Sequence, residues 1–304
     1  MINSKQVLEY LSRETSFLEK DILIITGPTA SGKTKLAVEL AKTLNGEIIS
    51  ADSRQVYRHM DIGTGKDIQE YGDIPYHLID IADPGEHYNV ARFLEDFEGA
   101  YRSIKEKGKP VIVCGGTGFY IQALLSPQPY NQVPTNIVWR SFQEQKTKQE
   151  LQEQIAQYLI PSDFAIDYTS KKRMARALEI LNWLSQPGHI LPPSVPGYTA
   201  TILGLNPDVE LRRARISQRL LDRLDQGMVR EVENLLHSGL THDEIAYYGL
   251  EYKYISYYLR GQIEYDVFLH KLGTEIHRYA KRQMTYFRKM ERDGHIIHWL
   301  DKIK

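Results

Sequence analysis

The sequence predicts an α/β protein whose core is a parallel sheet, interrupted by a helical insertion and completed by a helical C-terminal part. Three observations predict it. Apolar runs that read as strands buried on both faces recur with helical patterns between them. The first run ends in a glycine-rich loop of phosphate-binding form. Two stretches dense in Pro, Gly and Asn bracket a helical segment that precedes one more apolar run.

The elements follow in order. Residues 1–20 are mostly polar and read as a helical extension, without the apolar core of a signal peptide. "DILIITG" (21–27), "GEIIS" (46–50), "YHLIDIAD" (76–83) and "PVIVCGG" (110–116) are the strand runs, with helical patterns at 33–44 and 90–107. Strands alternating with helices argue for parallel pairing through right-handed crossovers. "SPQPYNQVPTN" (126–136) and "SQPGHILPPSVPG" (185–197) are linkers, and "TATILGL" (199–205) returns a strand to the core. From 207 onward the pattern is helical almost to the end. The expected division is therefore 1–120 for the first part of the core, 121–196 for the inserted subdomain, and 197–304 for the returning strand and C-terminal helices.

Composition narrows the function. The 304 residues carry a net charge of −1, so any binding of nucleic acid rests on local basic patches. A single cysteine, Cys114, excludes a disulfide framework and a cysteine zinc site, and it reads as a small buried hydrophobe. No stretch has the length of a membrane span, and a cytoplasmic enzyme is expected. The ten histidines show no metal spacing. His77 reads as a structural or substrate-contacting residue.

Five constellations carry chemistry. Gly27, Pro28, Thr29, Ala30, Ser31, Gly32, Lys33 and Thr34 form G-x-x-x-x-G-K-[ST] between a strand and a helix. Backbone N–H groups, the helix dipole and the Lys33 charge converge there on a phosphate, and the Thr34 hydroxyl is placed for Mg²⁺. "SADSRQVY" (50–57) puts Asp52 at a strand end, where it could be a general base, a magnesium ligand or a helix cap, with Arg54 and Gln55 beside it. "CGGTGFY" (114–120) offers two glycines and the Thr117 hydroxyl at another strand end, as a ligand loop or a plain turn. "KKRMARALEIL" (171–181) sets Lys172, Arg173 and Arg176 on a face away from the apolar stripe of Met174, Leu178 and Leu181. "EIHRYAKRQMTYFRKM" (275–290), as a helix, carries Arg278, Lys281, Arg282 and Arg288 on one side, with Tyr279 and Tyr286 flanking them. A basic stripe with interleaved aromatics suits an RNA backbone and stackable bases; a solvated surface helix has the same composition.

Together these blocks resemble the tRNA dimethylallyltransferases (tRNA isopentenyltransferases). "GPTASGKTKLA", "IISADSRQVYRHMDIGTGK", "HLIDIADPGEHYNVARF", "KPVIVCGGTGFYIQAL", "RALEI" and "YAKRQMTYFRK" are similar to that family's blocks, in its order, over about residues 20–301. The resemblance implies a P-loop kinase-like core. It implies transfer of a dimethylallyl group from its diphosphate to N6 of the adenosine 3′ of a tRNA anticodon. Asp52 would be the base, and Gly27–Thr34 would hold the diphosphate with Mg²⁺ at Thr34. Thr117 and Arg140 would stand near the reacting groups. Asp52, Ser53, Arg54, Gln55, Arg173, Arg176, Lys281, Arg282, Gln283 and Arg288 would meet the tRNA. No obligate protein partner is implied. Departures are "YYGLEYKY" (247–254) for the family's Ile-Gly-Tyr-Lys-Glu block, "GTGK" (63–66) for Gly-Thr-Ala-Lys, and a short insertion with an unusual "PSDFAIDYTSKK" segment. The chain has no C-terminal zinc finger of the eukaryotic kind, which gives it a bacterial look.

Three readings compete with this one. An ATP-dependent small-molecule kinase would use "KKRMAR" as a lid and Asp80 as its magnesium carboxylate. An adenylate isopentenyltransferase would prenylate AMP or ADP. A non-catalytic RNA-binding protein would need neither the phosphate loop nor Asp52.

Overall fold

A computed structural model describes residues 4–14, 17–126, 129–191 and 197–302. Six strands form one sheet: β1 Ile22–Thr26, β2 Glu47–Ser50, β3 Tyr76–His77, β4 Val111–Gly115, β5 Ala200–Gly204 and β6 Ile297–Trp299. Their order is β3-β2-β4-β1-β5-β6, and every pairing is parallel. Ile22 of β1 lies in register with Val111 on one side and Ala200 on the other. The strand that carries the phosphate loop is therefore central, and the chain reverses its direction of winding across it. Ligands bind at such a switch point, outside the C-terminal strand ends.

Helices α1 Ser4–Glu14, α2 Lys33–Leu44, α3 Val90–Glu106 and α4 Gly118–Leu125 lie in the first part of the chain. The second part contributes α5 Ile137–Glu144, α6 Lys148–Ile155 and α7 Lys171–Leu184. After β5 come α8 Val209–Asp225, α9 Met228–His237, α10 His242–Ile245, α11 Leu250–Leu259 and α12 Tyr265–Arg292. Among the described residues, no helix is long and apolar enough to cross a membrane.

Strand periodicity divides the core into two layers. Ile22, Ile24, Val111, Val113 and Ile202 face α3 and the C-terminal helices, meeting Phe93, Phe97, Phe268 and Phe287. Leu23, Ile25, Ile112, Cys114 and Leu203 face α2, meeting Leu36, Ala37 and Leu40. The N-terminal extension joins this second layer, where α1 buries Val7 and Leu11 and the Tyr10 hydroxyl lies 2.7 Å from Nδ1 of His298.

Two expectations about strands need correction. The run 76–83 yields only a two-residue strand, because Leu78 and Asp80 adopt positive φ. Ile81 and Ala82 then donate to the carbonyl of Val56 at 2.8 and 2.9 Å instead of extending the sheet. The edge strand β6, inside the supposedly helical end, also escapes the sequence pattern.

Residues 1–126 with 197–304 form one compact unit, and 127–196 form a second. The expected insertion began at 121, but α4 belongs to the first unit: Ile121 and Leu124 are buried in its core. Parts of both linkers, 127–128 and 192–196, lie outside the described residues. The flanks of the second unit are adjacent in the first, with Tyr198 N–H donating to the carbonyl of Leu124 at 2.8 Å. The second unit has its own core of Leu151, Ile155, Met174, Leu178 and Leu181.

Candidate active site

The phosphate loop leaves β1 at Thr26 and enters α2 at Lys33. Gly27, Ala30 and Gly32 take φ of 148°, 60° and 89°, which curls the loop back on itself. Lys33 Nζ donates to the carbonyl of Pro28 at 2.9 Å. Burial pushes its pKa down, while the Cys114 sulfur and the Asp52 carboxylate act in the opposite direction. The Ser31 hydroxyl is buried and lacks a hydrogen-bond partner among the described residues.

Asp52 follows β2. Its carboxylate accepts the N–H of Arg54 at 2.9 Å, which folds the segment into a tight turn and leaves no helix for Asp52 to cap. Next to it, Ser53 N–H donates to the Thr117 hydroxyl at 3.2 Å, so the second and third constellations meet. Gly115 makes this possible, since a side chain there would overlap the Ala51 carbonyl.

Lys33, Thr34, Asp52, Ser53, Arg54 and Gln55 line one cavity of about 510 Å³ in the first unit. Thr29, Cys114, Tyr279, Arg282 and Gln283 line it too, as do Arg219, Arg223 and Glu251, which the sequence reading missed. Burial pushes the Cys114 thiol up to about 11, so it is a neutral wall, as expected. The Arg223 guanidinium is pushed down to about 10 by burial and by neighbouring Arg219, and burial raises the Glu251 carboxyl. Arg219 and Arg223 share the buried side of α8 with Ile216 and Leu220, and charges recurring with an apolar stripe were the available signal. Tyr247, from the atypical 247–254 block, presents its ring at the cavity with the Arg54 guanidinium 5.1 Å from its centroid. In the same block Lys253 reaches the cavity, whereas Tyr252 is buried and donates to Glu231 at 2.7 Å.

Other expected residues stand elsewhere. Gln283 was expected to meet tRNA, but it is buried, accepting Thr29 N–H at 2.8 Å and donating to the carbonyl of Gly116 at 3.0 Å. Gln55 is likewise spoken for: it accepts from Ser50 at 3.0 Å and donates to the carbonyl of Gly65 at 2.9 Å. Arg140 and Arg176, in the second unit, grip the buried Glu179 at 2.6 and 2.5 Å, and Arg176 also donates to the carbonyl of Val133 at 2.7 Å. Both guanidinium groups are thus engaged within the second unit. Arg173 is exposed and paired with Asp167. Lys281 and Arg282 are exposed on α12, whereas Arg288 lines a separate shallow groove with Thr285, Glu291 and Arg292. Arg278 pairs with Glu275 at 2.5 Å, which weakens the basic stripe at its start.

Asp80 is not placed as a magnesium carboxylate, because it is paired with the buried Lys66 ammonium, which also meets Asp61 at 2.6 Å. This removes the carboxylate on which the kinase reading depended. His77 is structural, hydrogen-bonded at 2.9 Å to the buried Glu47. Among the described residues no group of three or more His, Cys, Asp or Glu is arranged to hold a metal ion.

Comparison with known proteins agrees with this geometry. The model of the IPP transferase family matches residues 55–290, and that of the isopentenyl transferases matches 20–71. A tRNA dimethylallyltransferase 1 of Azobacteroides pseudotrichonymphae is 48% identical, covering 93% of this chain and 94% of the relative. A tRNA dimethylallyltransferase 2 of Bacteroides fragilis is 47% identical, with 92% of each covered. The tRNA isopentenylpyrophosphate transferase of Bacillus halodurans superposes with a TM-score of 0.67 at 33% identity, covering 92% of this chain and 90% of the other. A eukaryotic dimethylallyltransferase described as acting on tRNA superposes at 0.65 with 25% identity, over 87% of this chain and 69% of that one. The chain belongs to the IPP transferase family, that of the tRNA dimethylallyltransferases.

Proposed function

We propose that this chain transfers the dimethylallyl group of dimethylallyl diphosphate to N6 of the adenosine 3′ of the anticodon in tRNA, in the cytoplasm, releasing diphosphate. One observation carries the reading: the Asp52 carboxylate and the phosphate-loop residues Lys33 and Thr34 line the same cavity, at the C-terminal ends of β1 and β2.

The roles follow from the chemistry. An exocyclic adenine amine is a weak nucleophile, because its lone pair is delocalised into the ring. As N6 attacks C1 of the donor, the C1–O bond breaks and the N6 proton passes to Asp52. Negative charge grows on the departing diphosphate, which the loop N–H groups and Lys33 stabilise, with Arg219 and Arg223 at the same cavity. Magnesium fits the donors present: the Thr34 hydroxyl is a hard oxygen at the cavity, and the buried Ser31 hydroxyl has no hydrogen-bond partner among the described residues. Bound there, Mg²⁺ would neutralise phosphate charge, held by Thr34 and the diphosphate oxygens. The adenine leaves its stack to enter, at a cost of a few kcal/mol that is smallest in a single-stranded loop. The Tyr247 ring lines the same cavity, with the Arg54 guanidinium over it.

Incubation with labelled dimethylallyl diphosphate and Mg²⁺, with either bulk tRNA or AMP as acceptor, tests the reading. Label in tRNA supports it. Label in AMP assigns the chain to adenylate prenylation, and ATP turnover without label assigns it to phosphoryl transfer.

A further inference from the structure

Glu231 stands one turn from both Met228 and Leu235, on the side of α9 that packs inward, where a carboxylate needs partners. It finds them in the backbone of loop 61–65. One oxygen, Oε2, accepts the N–H groups of Asp61 and Ile62, both at 2.7 Å. The other, Oε1, accepts the N–H of Gly63 at 2.9 Å and the Tyr252 hydroxyl at 2.7 Å. Consecutive N–H groups turned on one carboxylate make an anion nest, and charge-assisted bonds of this kind are about twice as strong as neutral ones. Tyr252 can reach because residue 63 is glycine: a Cβ there would lie 2.7 Å from its ring. The far side of the same loop is a wall of the cavity, formed by Gly63, Thr64 and Gly65. There the Gly65 carbonyl accepts the Gln55 amide at 2.9 Å, and the Gln55 oxygen accepts the Ser50 hydroxyl at 3.0 Å. Asp52 lies between those two residues. At the end of the loop the Lys66 ammonium donates to the Tyr57 carbonyl at 2.6 Å and meets Asp61 at 2.6 Å. A continuous chain of hydrogen bonds therefore runs from α9 to the segment that carries Asp52.

We propose that Glu231 is a positioning residue for prenyl transfer. Its carboxylate fixes loop 61–65 so that Gly65 holds Gln55, and Gln55 holds the turn that aims Asp52 at the acceptor amine. Glu231 touches no substrate and acts only through this chain. Its effect falls on the chemical step and not on donor binding, because the phosphate loop is anchored separately, through Gln283 at Thr29 N–H. The carboxylate is required as such. A glutamine offers one acceptor oxygen and an NH₂ group, so one of the two donor pairs, Asp61 with Ile62 or Gly63 with Tyr252, would face another donor. The loop would then shift, and the Gln55 amide with it.

This rests on the cavity being the site of prenyl transfer, and the test separates the two claims. Single-turnover rates with saturating tRNA and dimethylallyl diphosphate are measured for wild type, Glu231→Gln, Tyr252→Phe, Gln55→Ala and the double variant Glu231→Gln/Gln55→Ala. Donor binding by calorimetry and melting temperature are measured alongside. Misplacement of a catalytic group predicts a rate about 10- to 100-fold lower for Glu231→Gln. Donor affinity stays within about threefold of wild type, since only the chemical step is touched. Tyr252→Phe, which removes one donor and keeps the carboxylate, lowers the rate less. The losses from Glu231→Gln and Gln55→Ala do not multiply in the double variant, because both act through the Gly65 carbonyl. If Glu231→Gln does not fold, Tyr252→Phe takes its place in the cycle with Gln55→Ala. A rate within about twofold of wild type in the folded variants overturns the positioning role. Losses that multiply independently overturn it too, and leave Glu231 a brace of the fold. A wild-type protein that moves no label to tRNA overturns the role and the reading beneath it.

Discussion

The side chain of Gln283 accepts the backbone N–H of Thr29 at 2.8 Å, tying the long C-terminal helix to the middle of the phosphate loop. Its other end donates to the carbonyl of Gly116 at 3.0 Å, and a Cβ at 116 would lie 2.5 Å from that nitrogen. Three segments distant in sequence therefore meet at one amide.

Replacing Gln283 by Leu leaves Thr29 N–H and the Gly116 carbonyl without partners. An unmade buried hydrogen bond costs about 1–3 kcal/mol. The KM for dimethylallyl diphosphate should rise about tenfold or more, with tRNA affinity unchanged. A selective loss of tRNA binding would return Gln283 to the RNA surface.

Asp52→Ala should lower kcat by at least ~10²-fold while prenyl diphosphate binding persists, since loss of a general base costs ~10²–10⁴-fold. Single-turnover rates with saturating tRNA measure the chemical step directly. A near-normal rate would remove Asp52 as the proton acceptor.

Lys281 and Arg282 stand side by side on the exposed part of α12. Their joint replacement by Ala should weaken tRNA binding. Two lost phosphate contacts should also flatten the dependence of log affinity on log salt by about one to two units. Titrations at three salt concentrations measure the slope. An unchanged slope would leave the helix face as a solvated surface.

Glu47 links the stability of the sheet to pH. Burial raises its pKa, but hydrogen bonds from His77, Lys109 and Lys107 outweigh that and hold it at about 2 against an ordinary 4.5. The folded value is the lower one, so the stabilisation is complete above the unfolded pKa and is lost as pH falls through the folded one. This difference corresponds to roughly 3 kcal/mol. Melting temperature should drop between about pH 5 and pH 2, and Glu47→Gln should remove much of that slope. Parallel curves for the two proteins would place the acid sensitivity elsewhere.

What was legible in the sequence was local. Strand β1, its loop and α2 form one continuous signal, and Asp52 was placed because a strand end in a parallel sheet lies near that loop. Contacts between distant segments were not legible. The positive charge of Arg140 and Arg176 is plain in sequence, but their shared partner Glu179 is a tertiary fact. Gln283 was expected among the tRNA contacts, although it falls between Ala280 and Phe287 on the buried stripe of α12. A single polar residue on an apolar stripe is the pattern to distrust. Strand β6 is three residues long, too short for alternation to register.

The hydrogen bond from Tyr198 to Leu124 joins the two segments of the first unit between which the second is inserted in sequence. The second unit, with a core of its own, therefore behaves as an exchangeable cassette: its length and sequence can change without disturbing the register of β4, β1 and β5.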